Sequence, residues 1–429
     1  MRIQIADKPT LDAIARKLGV LDGGEKQHKI FGVKVDKNDS NPNTRVTYLA
    51  DAVGMRPAKM NFATNKFDYG DWKDVWFVKN NFPCMMRGNG SIQALLNPDD
   101  YTKNLDGSVS SVSTGVDSAT NTRVNAMSAI PLVWINQYED EDFFYVYIAD
   151  YKVNDDFNAF AHSTEDLNNE GKLVIHDYLY LGMYLNSLSA DSTTACSLAG
   201  KTPWRFTRLS NELEKINRIG SNYKLISWFH YNLLQCLFLV MFKNTDSQSI
   251  LGGGYSKGSG TVVSSGAGND KGQFWGANNF DNTVKFLHME DVWGNLWCKV
   301  SDIVVIGGVV RVNNNLTPLP FLEETLKSEN TYSKYTIVKR FKRPDPVHGF
   351  LKSVSVDKYG ILPEEDSLEG SNSTYLCDYV WLNGIKKEVN LVAVGGYVND
   401  TLGNGIFSVA EGQKVDVDVY EMGTRIAML

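Results

Sequence analysis

Between residues 28 and 185 apolar and polar positions alternate in short runs rich in Val, Ile, Tyr, Phe and Trp. "HKIFGVKVD", "RVTYLADAV", "WKDVWFVKN", "SAIPLVWINQY", "DFFYVYIADYKV" and "KLVIHDYLYLGMYL" carry the period of strands with one buried face. "DKNDSNPNT", "RGNG", "NPDDYTKNLDGS" and "SVSTGVDSATNT" separate them with turn and loop composition, and the last predicts a mobile surface loop. Two stretches break this period. Residues 1–20 predict a short strand and a helix, with Thr10 capping "LDAIARKLG", Leu11, Ile14, Ala15 and Leu18 on one face, and Gly19 ending it. That helix suits a docking or oligomerisation element and a lid on the first core equally well. Residues 204–243 predict a second helical region. "RFTRLSNELEKINRIG" precedes "NYKLISWFHYNLLQCLFLVMFK", which is apolar on nearly every face and so predicts a buried helix.

A glycine- and serine-rich stretch, "SILGGGYSKGSGTVVSSGAGNDKGQFWGANNF", follows with aromatics at intervals and predicts an ordered long loop. "VKFLHMEDVWGNLWCKVSDIVVIGGVVRV", "YTIVKRF", "TYLCDYVWLN" and "KEVNLVAVGGYV" then predict further strands, and no internal repeat is evident. The pattern divides the chain into a segment 1–25, a β-rich domain 26–185 and a mixed domain 186–429.

Composition sharpens this picture at three points. Charged residues are 22% of the chain, against roughly 25% in an average soluble protein. Its surface therefore leans on Asn, Ser, Thr, Gly and Tyr, as β-rich and loop-rich proteins do. The net charge is −7, and the strongest basic cluster, "KRFKRPD" at 339–345, reads as a solvated loop or edge strand. Nucleic-acid binding needs a basic face that this chain lacks. Finally, Cys84, Cys196, Cys236, Cys298 and Cys377 are dispersed, with no C-x-x-C pair, which points to folding in a reducing cytoplasm. No membrane partner is expected: the most apolar run, "LLQCLFLVMF", has half the length of a span, and the N-terminus has no signal-peptide pattern.

Signatures of chemistry are sparse. "GGGYSKGSG" (252–260) is not a phosphate loop, because Lys257 precedes Gly258 and no helix follows. "YEDEDFF" (138–144) lacks EF-hand spacing and reads as an acidic hairpin tip. His28, His162, His176, His230, His288 and His348 never pair at metal-binding spacing, and His230 reads as a core histidine with a hydrogen-bond partner. No nucleophile elbow occurs in a strand–turn–helix setting. Glycoside cleavage by carboxylates from separate strands leaves no sequence motif, and nothing nominates a pair. No catalytic residue, metal or cofactor is expected.

One order of segments does stand out. "SLAGKTPWRFTR" (197–208), "NTDSQSILGGGYS" (244–256), "MEDVWGNLW" (289–297), "GSNSTYLCDYVWLN" (370–383) and "LVAVGGYVNDTLGNGIFSV" (391–409) lead to a final "GTRIAML". This series resembles the C-type-lectin-type domain of bacteriophage and prophage tail-fibre or minor structural proteins, a fold shared with formylglycine-generating-enzyme-like domains and retroelement-diversified receptor-binding proteins. "VTYLADAVGMRPAKMNFATNKFDYGDWKDVWFV" (46–78) and "IADYKVNDDF" (148–157) are similar to the N-terminal part of such proteins.

The resemblance implies an α+β chain, a β-rich particle-attachment domain followed by a C-type-lectin-like domain with two helices and twisted antiparallel strands. It implies a virion protein assembled in the host cytoplasm, homotrimeric, contacting other virion subunits and a host surface glycan or protein. A head-fibre or decoration protein and a polysaccharide depolymerase are the alternatives. It also implies that Tyr397, Asn399, Asp400, Thr401 and Asn404, and then Asp416, Asp418 and Tyr420, form the ligand-facing surface, while Trp293, Asn295 and Trp297 pack the fold. Gly395 and Gly396 are expected to turn the backbone where a Cβ would clash. Two departures limit the carry-over. No catalytic cysteine pair is present, and "YVND" with a distant "RPD" only approximates the calcium-lectin pattern.

Overall fold

The computed structural model describes residues 28–429 apart from 167, 170, 259, 321, 343, 344 and 386. The helix expected at residues 10–19 lies outside the described residues. The architecture is mostly β with few helices, and three sheets organise it.

In the first sheet the order is Trp134–Glu139, Phe143–Ala149, Ile30–Asp36, Val46–Ala50, all antiparallel. Strict alternation buries Phe31, Val33 and Val35 on one strand and Phe144, Val146 and Ile148 on its neighbour. The second sheet runs Tyr223–Leu225, Ile426–Met428, Tyr178–Gly182, Thr122–Pro131, Phe82–Arg87, Ile92–Asn97, Asp100–Asn104, with Val116–Asp117 paired to Thr122–Pro131. The third runs Thr336–Arg340, Val309–Val312, Trp297–Ile306, Val389–Val394, Val409–Lys414, Tyr379–Leu382, Val347–Phe350. The basic cluster thus begins on an edge strand of this sheet.

The helix Trp228–Phe242 packs against strands of both the first and third sheets, and all of its residues are buried. Its apolar periphery explains the position, since no face would be stable in water. The few polar side chains are spent on tethers. Trp228 Nε1 donates to Tyr359 O at 2.8 Å, Gln235 Nε2 to Ile406 O at 3.0 Å, and Asn232 Oδ1 accepts from Ile361 N at 3.1 Å. Ser227 caps the helix, and the His230 ring accepts from Ser227 N at 3.1 Å through Nδ1, the partner expected for a core histidine.

Three details depart from the sequence pattern. "WKDVWFVKN" is not a strand; it makes the short helix Trp76–Lys79, whose Phe77 and Val78 fill the core from one turn. "NPDDYTKNLDGS" is not all loop, because Asp100–Asn104 pairs as a sheet edge. The stretch 111–122 carries the two-residue strand Val116–Asp117, and Arg87 Nη2 holds Asp117 at 2.8 Å, so it is pinned to the second sheet. Residue 185 also marks no break in sheet or core. Ile426–Met428 sits between Tyr178–Gly182 and Tyr223–Leu225, and one hydrophobic cluster extends from Phe31 to Leu429.

Candidate functional site

The paired glycines begin the segment proposed from sequence. Gly395 and Gly396 have φ of +90° and +85°, open to glycine at little cost. A Cβ on Gly395 would lie 2.7 Å from Val292 O, and one on Gly396 would lie 1.8 Å from Asn404 Oδ1. The space saved at Gly396 admits the Asn404 side chain. Asn404 Oδ1 accepts from Tyr397 N at 3.1 Å and its Nδ2 donates to Tyr397 O at 2.8 Å. Asp400 Oδ2 also accepts from Tyr397 N, at 2.8 Å. The segment 397–404 is therefore a closed loop with its own internal lock. Gln248 Nε2 fixes it to the body by donating to Leu402 O and Asn404 O, each at 2.6 Å.

The glycine-rich loop lies beside it. Gly258 N donates to Val398 O at 2.8 Å, and Gly260 N donates to Asn399 Oδ1 at 2.7 Å. Buried side chains hold this loop from below. Trp293 Nε1 donates to Gly252 O, Asn295 exchanges two bonds with the Val263 backbone, and Glu290 accepts from Gly266 N and Gly268 N at 2.7 Å each. Lys285 Nζ donates to Gly268 O at 2.7 Å and Tyr101 OH at 2.8 Å. Trp293, Asn295 and Trp297 are all buried, as packing residues are.

The eight sequence-nominated residues divide into two groups. Tyr397, Asn404 and Asp416 are 2%, 1% and 2% exposed and cannot face a ligand as nominated. Their polar groups build the fold instead: Asp416 Oδ1 accepts from Ser210 N at 3.0 Å and Ser210 Oγ at 2.8 Å, at the start of helix Leu209–Asn217. Asn399, Thr401, Asp418 and Tyr420 are exposed and Asp400 is half-buried. Burial raises the Asp400 carboxyl to about 6, with Glu421 adding to the shift. Tyr397, beneath, feels the charges of Tyr420, Arg205 and Glu421, so the loop and the turn that carries Tyr420 adjoin.

Two residues were missed. Arg205 lies 3.9 Å over the Tyr420 ring, and Phe206, 64% exposed at φ +56°, approaches Tyr420 edge-on at 6.4 Å. Phe206 N donates to Val419 O at 3.0 Å, which locks the two chain segments side by side. In the sequence "RF" stood at the start of a stretch read as helical, and nothing in its spacing says that the phenyl ring points outward. Arg208 continues the ridge, 2.9 Å from Glu323 and 3.8 Å from Asp418. The result is a ridge of exposed aromatics over half-buried arginines, beside short polar side chains. It offers stacking and hydrogen bonding from a rigid base. Among the described residues no three metal-ligating side chains converge. No protein-family model matches the chain, and no curated protein shows significant sequence similarity to it.

Proposed function

We propose that this chain is a phage virion protein, a fibre or receptor-binding subunit that adheres to a host surface glycan or protein through the Phe206–Arg205–Tyr420 ridge. The observation that carries the reading is the exposure of two large aromatics, Phe206 at 64% and Tyr420 at 49%, on a hydrogen-bonded scaffold. Rigid aromatic faces flanked by short polar groups are the chemistry of recognition loops, since they contribute contact area with little entropy loss. Asn399, Thr401 and Asp418 supply the polar flank. A C-type-lectin-type fold for the C-terminal part is supported by the "WGNLW" anchor under a long glycine loop and by the few helices among antiparallel strands. Trimeric assembly belongs to the same reading, because weak single-site contacts gain from avidity.

The test is binding of labelled protein to host cells by wild type and by a Phe206→Ala, Tyr420→Ala double variant. Neither ring is buried, so the variant keeps its fold, and affinity is expected to drop about tenfold or more. Unchanged cell binding would remove the ridge from adhesion. Loss of incorporation into virions with no cell binding by either protein would favour a decoration subunit.

A further inference from the structure

A second site lies at the N-terminal end of the helix Trp228–Phe242. The segment "NYKLISWFH" places strand Tyr223–Leu225, the Ser227 cap and His230 in sequence around a cavity of about 140 Å³. That is close to the roughly 150 Å³ of an engineered cavity that takes benzene. Phe160, Leu213, Ile216, Leu316 and Leu319 give it an apolar wall.

His230, Lys224 and Asp302 bring two donors and an acceptor into this lining. His230 is 4% exposed and uses Nδ1 to accept from Ser227 N, which leaves Nε2–H as a donor with no protein acceptor among the described residues. Lys224 lines the same space, and its ammonium makes no hydrogen bond or ion pair among the described residues. Asp302 is the anionic counterpart. It stands in a β-bulge of strand Trp297–Ile306, where the register shifts between Val300 and Val304, at φ +64°. Bulges re-aim side chains, and this one brings a carboxylate into the lining. Asn313 Nδ2 donates to Asp302 Oδ1 at 2.8 Å and Ser301 Oγ to Oδ2 at 3.3 Å, and together they orient it. Lys224 and Asp302 share the cavity and attract each other, as Glu165 also attracts Lys224, but no close ion pair forms among the described residues.

We infer that this cavity binds a small zwitterion, a carboxylate and an amine on one apolar body, of which an aliphatic α-amino acid is the simplest form. The ligand carboxylate accepts from Lys224 Nζ and His230 Nε2, and its ammonium donates to Asp302. The aliphatic body lies on Leu213, Ile216 and Leu319. A ligand with only one charge leaves either the Asp302 carboxylate or the donor pair without a ligand partner, and displacing water from such groups without replacing its bonds costs affinity. This site shares no residue with the recognition ridge and does not depend on the adhesion reading.

Isothermal titration of the whole chain with L-leucine, isocaproate and isoamylamine tests it, since the last two lack the amine and the carboxylate respectively. Leucine should bind saturably, with each single-charge analogue weaker by about tenfold or more. Lys224→Met should erase the advantage of leucine over isoamylamine, and Asp302→Asn its advantage over isocaproate. Both variants are expected to fold, because Lys224 makes no bond to lose and Asn tolerates a left-handed φ. The proposal is overturned by absence of saturable leucine binding to wild type, by an analogue that binds as tightly, or by unchanged leucine affinity in folded Lys224→Met.

Discussion

At the scale of single residues, the interior holds more acid than its exposed surface suggests. Burial raises the carboxyls of Glu212 and Asp291 to about 7, Asp302 and Asp400 to about 6, and Glu411 to about 8. Their unfolded values lie near 4. A folded pKa above the unfolded one stabilises fully below the unfolded value, and the contribution is lost as pH climbs through the folded value. These carboxyls therefore lower the melting temperature between about pH 4 and about pH 8; the buried histidines His162, His230 and His288, whose values burial lowers, pull the other way below about pH 6.5, so the fall is clearest above it. Glu411→Gln should remove the most alkaline part of that fall, because Glu411 Oε2 is buried without a hydrogen-bond partner. Thermal melts across this range decide it: a flat or rising profile would mean that these groups ionise without cost. None of this was legible in the sequence, where Asp291 and Glu411 look like ordinary surface acids. The same gap separated Tyr397, Asn404 and Asp416 from their true positions. Small polar residues read as ligand-facing, yet these are the ones that lock a loop or start a helix, and sequence does not distinguish the two uses.

Among elements, legibility followed how far local pattern decides the outcome. The helix Trp228–Phe242 was visible as buried because no arrangement in water accommodates apolar residues on every face. The segment 72–80 was misread because Trp72, Val75 and Phe77 approximate alternation over too few residues to separate a strand from one helical turn. Asp100–Asn104 was misread for the opposite reason, since an edge strand is held by its backbone and needs few apolar side chains. The central helix also sets a ranking of mutational cost. Leu237→Ala should lose about 2–5 kcal/mol by opening a cavity in a site 0% exposed. Ser227→Ala should lose about 0.5–2 kcal/mol through the cap alone. Urea unfolding of the two variants checks the order, and an equal or reversed order would place the helix in a looser environment than its burial indicates.

For the molecule as a whole, strand pairing and hydrogen bonds cross the boundary expected at residue 185. Arg425 donates to Gly182 O at 2.6 Å, to Glu290 O at 2.5 Å and to Asp291 O at 3.1 Å, which ties strands from both sides of that boundary to the chain's last residues. Such links depend on pairing across hundreds of residues, and local periodicity carries no trace of them. Heating should give one calorimetric transition, and removing residues 425–429 should abolish it. Two separable transitions, or a truncated chain that keeps one of them, would restore an independent 26–185 unit.

The strand Ile426–Met428 has a further consequence for how the molecule is made. Its two neighbours leave the ribosome long before it does, Gly182 preceding Arg425 by 243 positions. At roughly 5–20 residues per second that interval lasts on the order of tens of seconds. Throughout it, the nascent chain carries two open strand edges around an empty slot. Crowded chains could pair through those edges, so the late arrival of Ile426–Met428 closes a gap through which neighbouring copies would otherwise join.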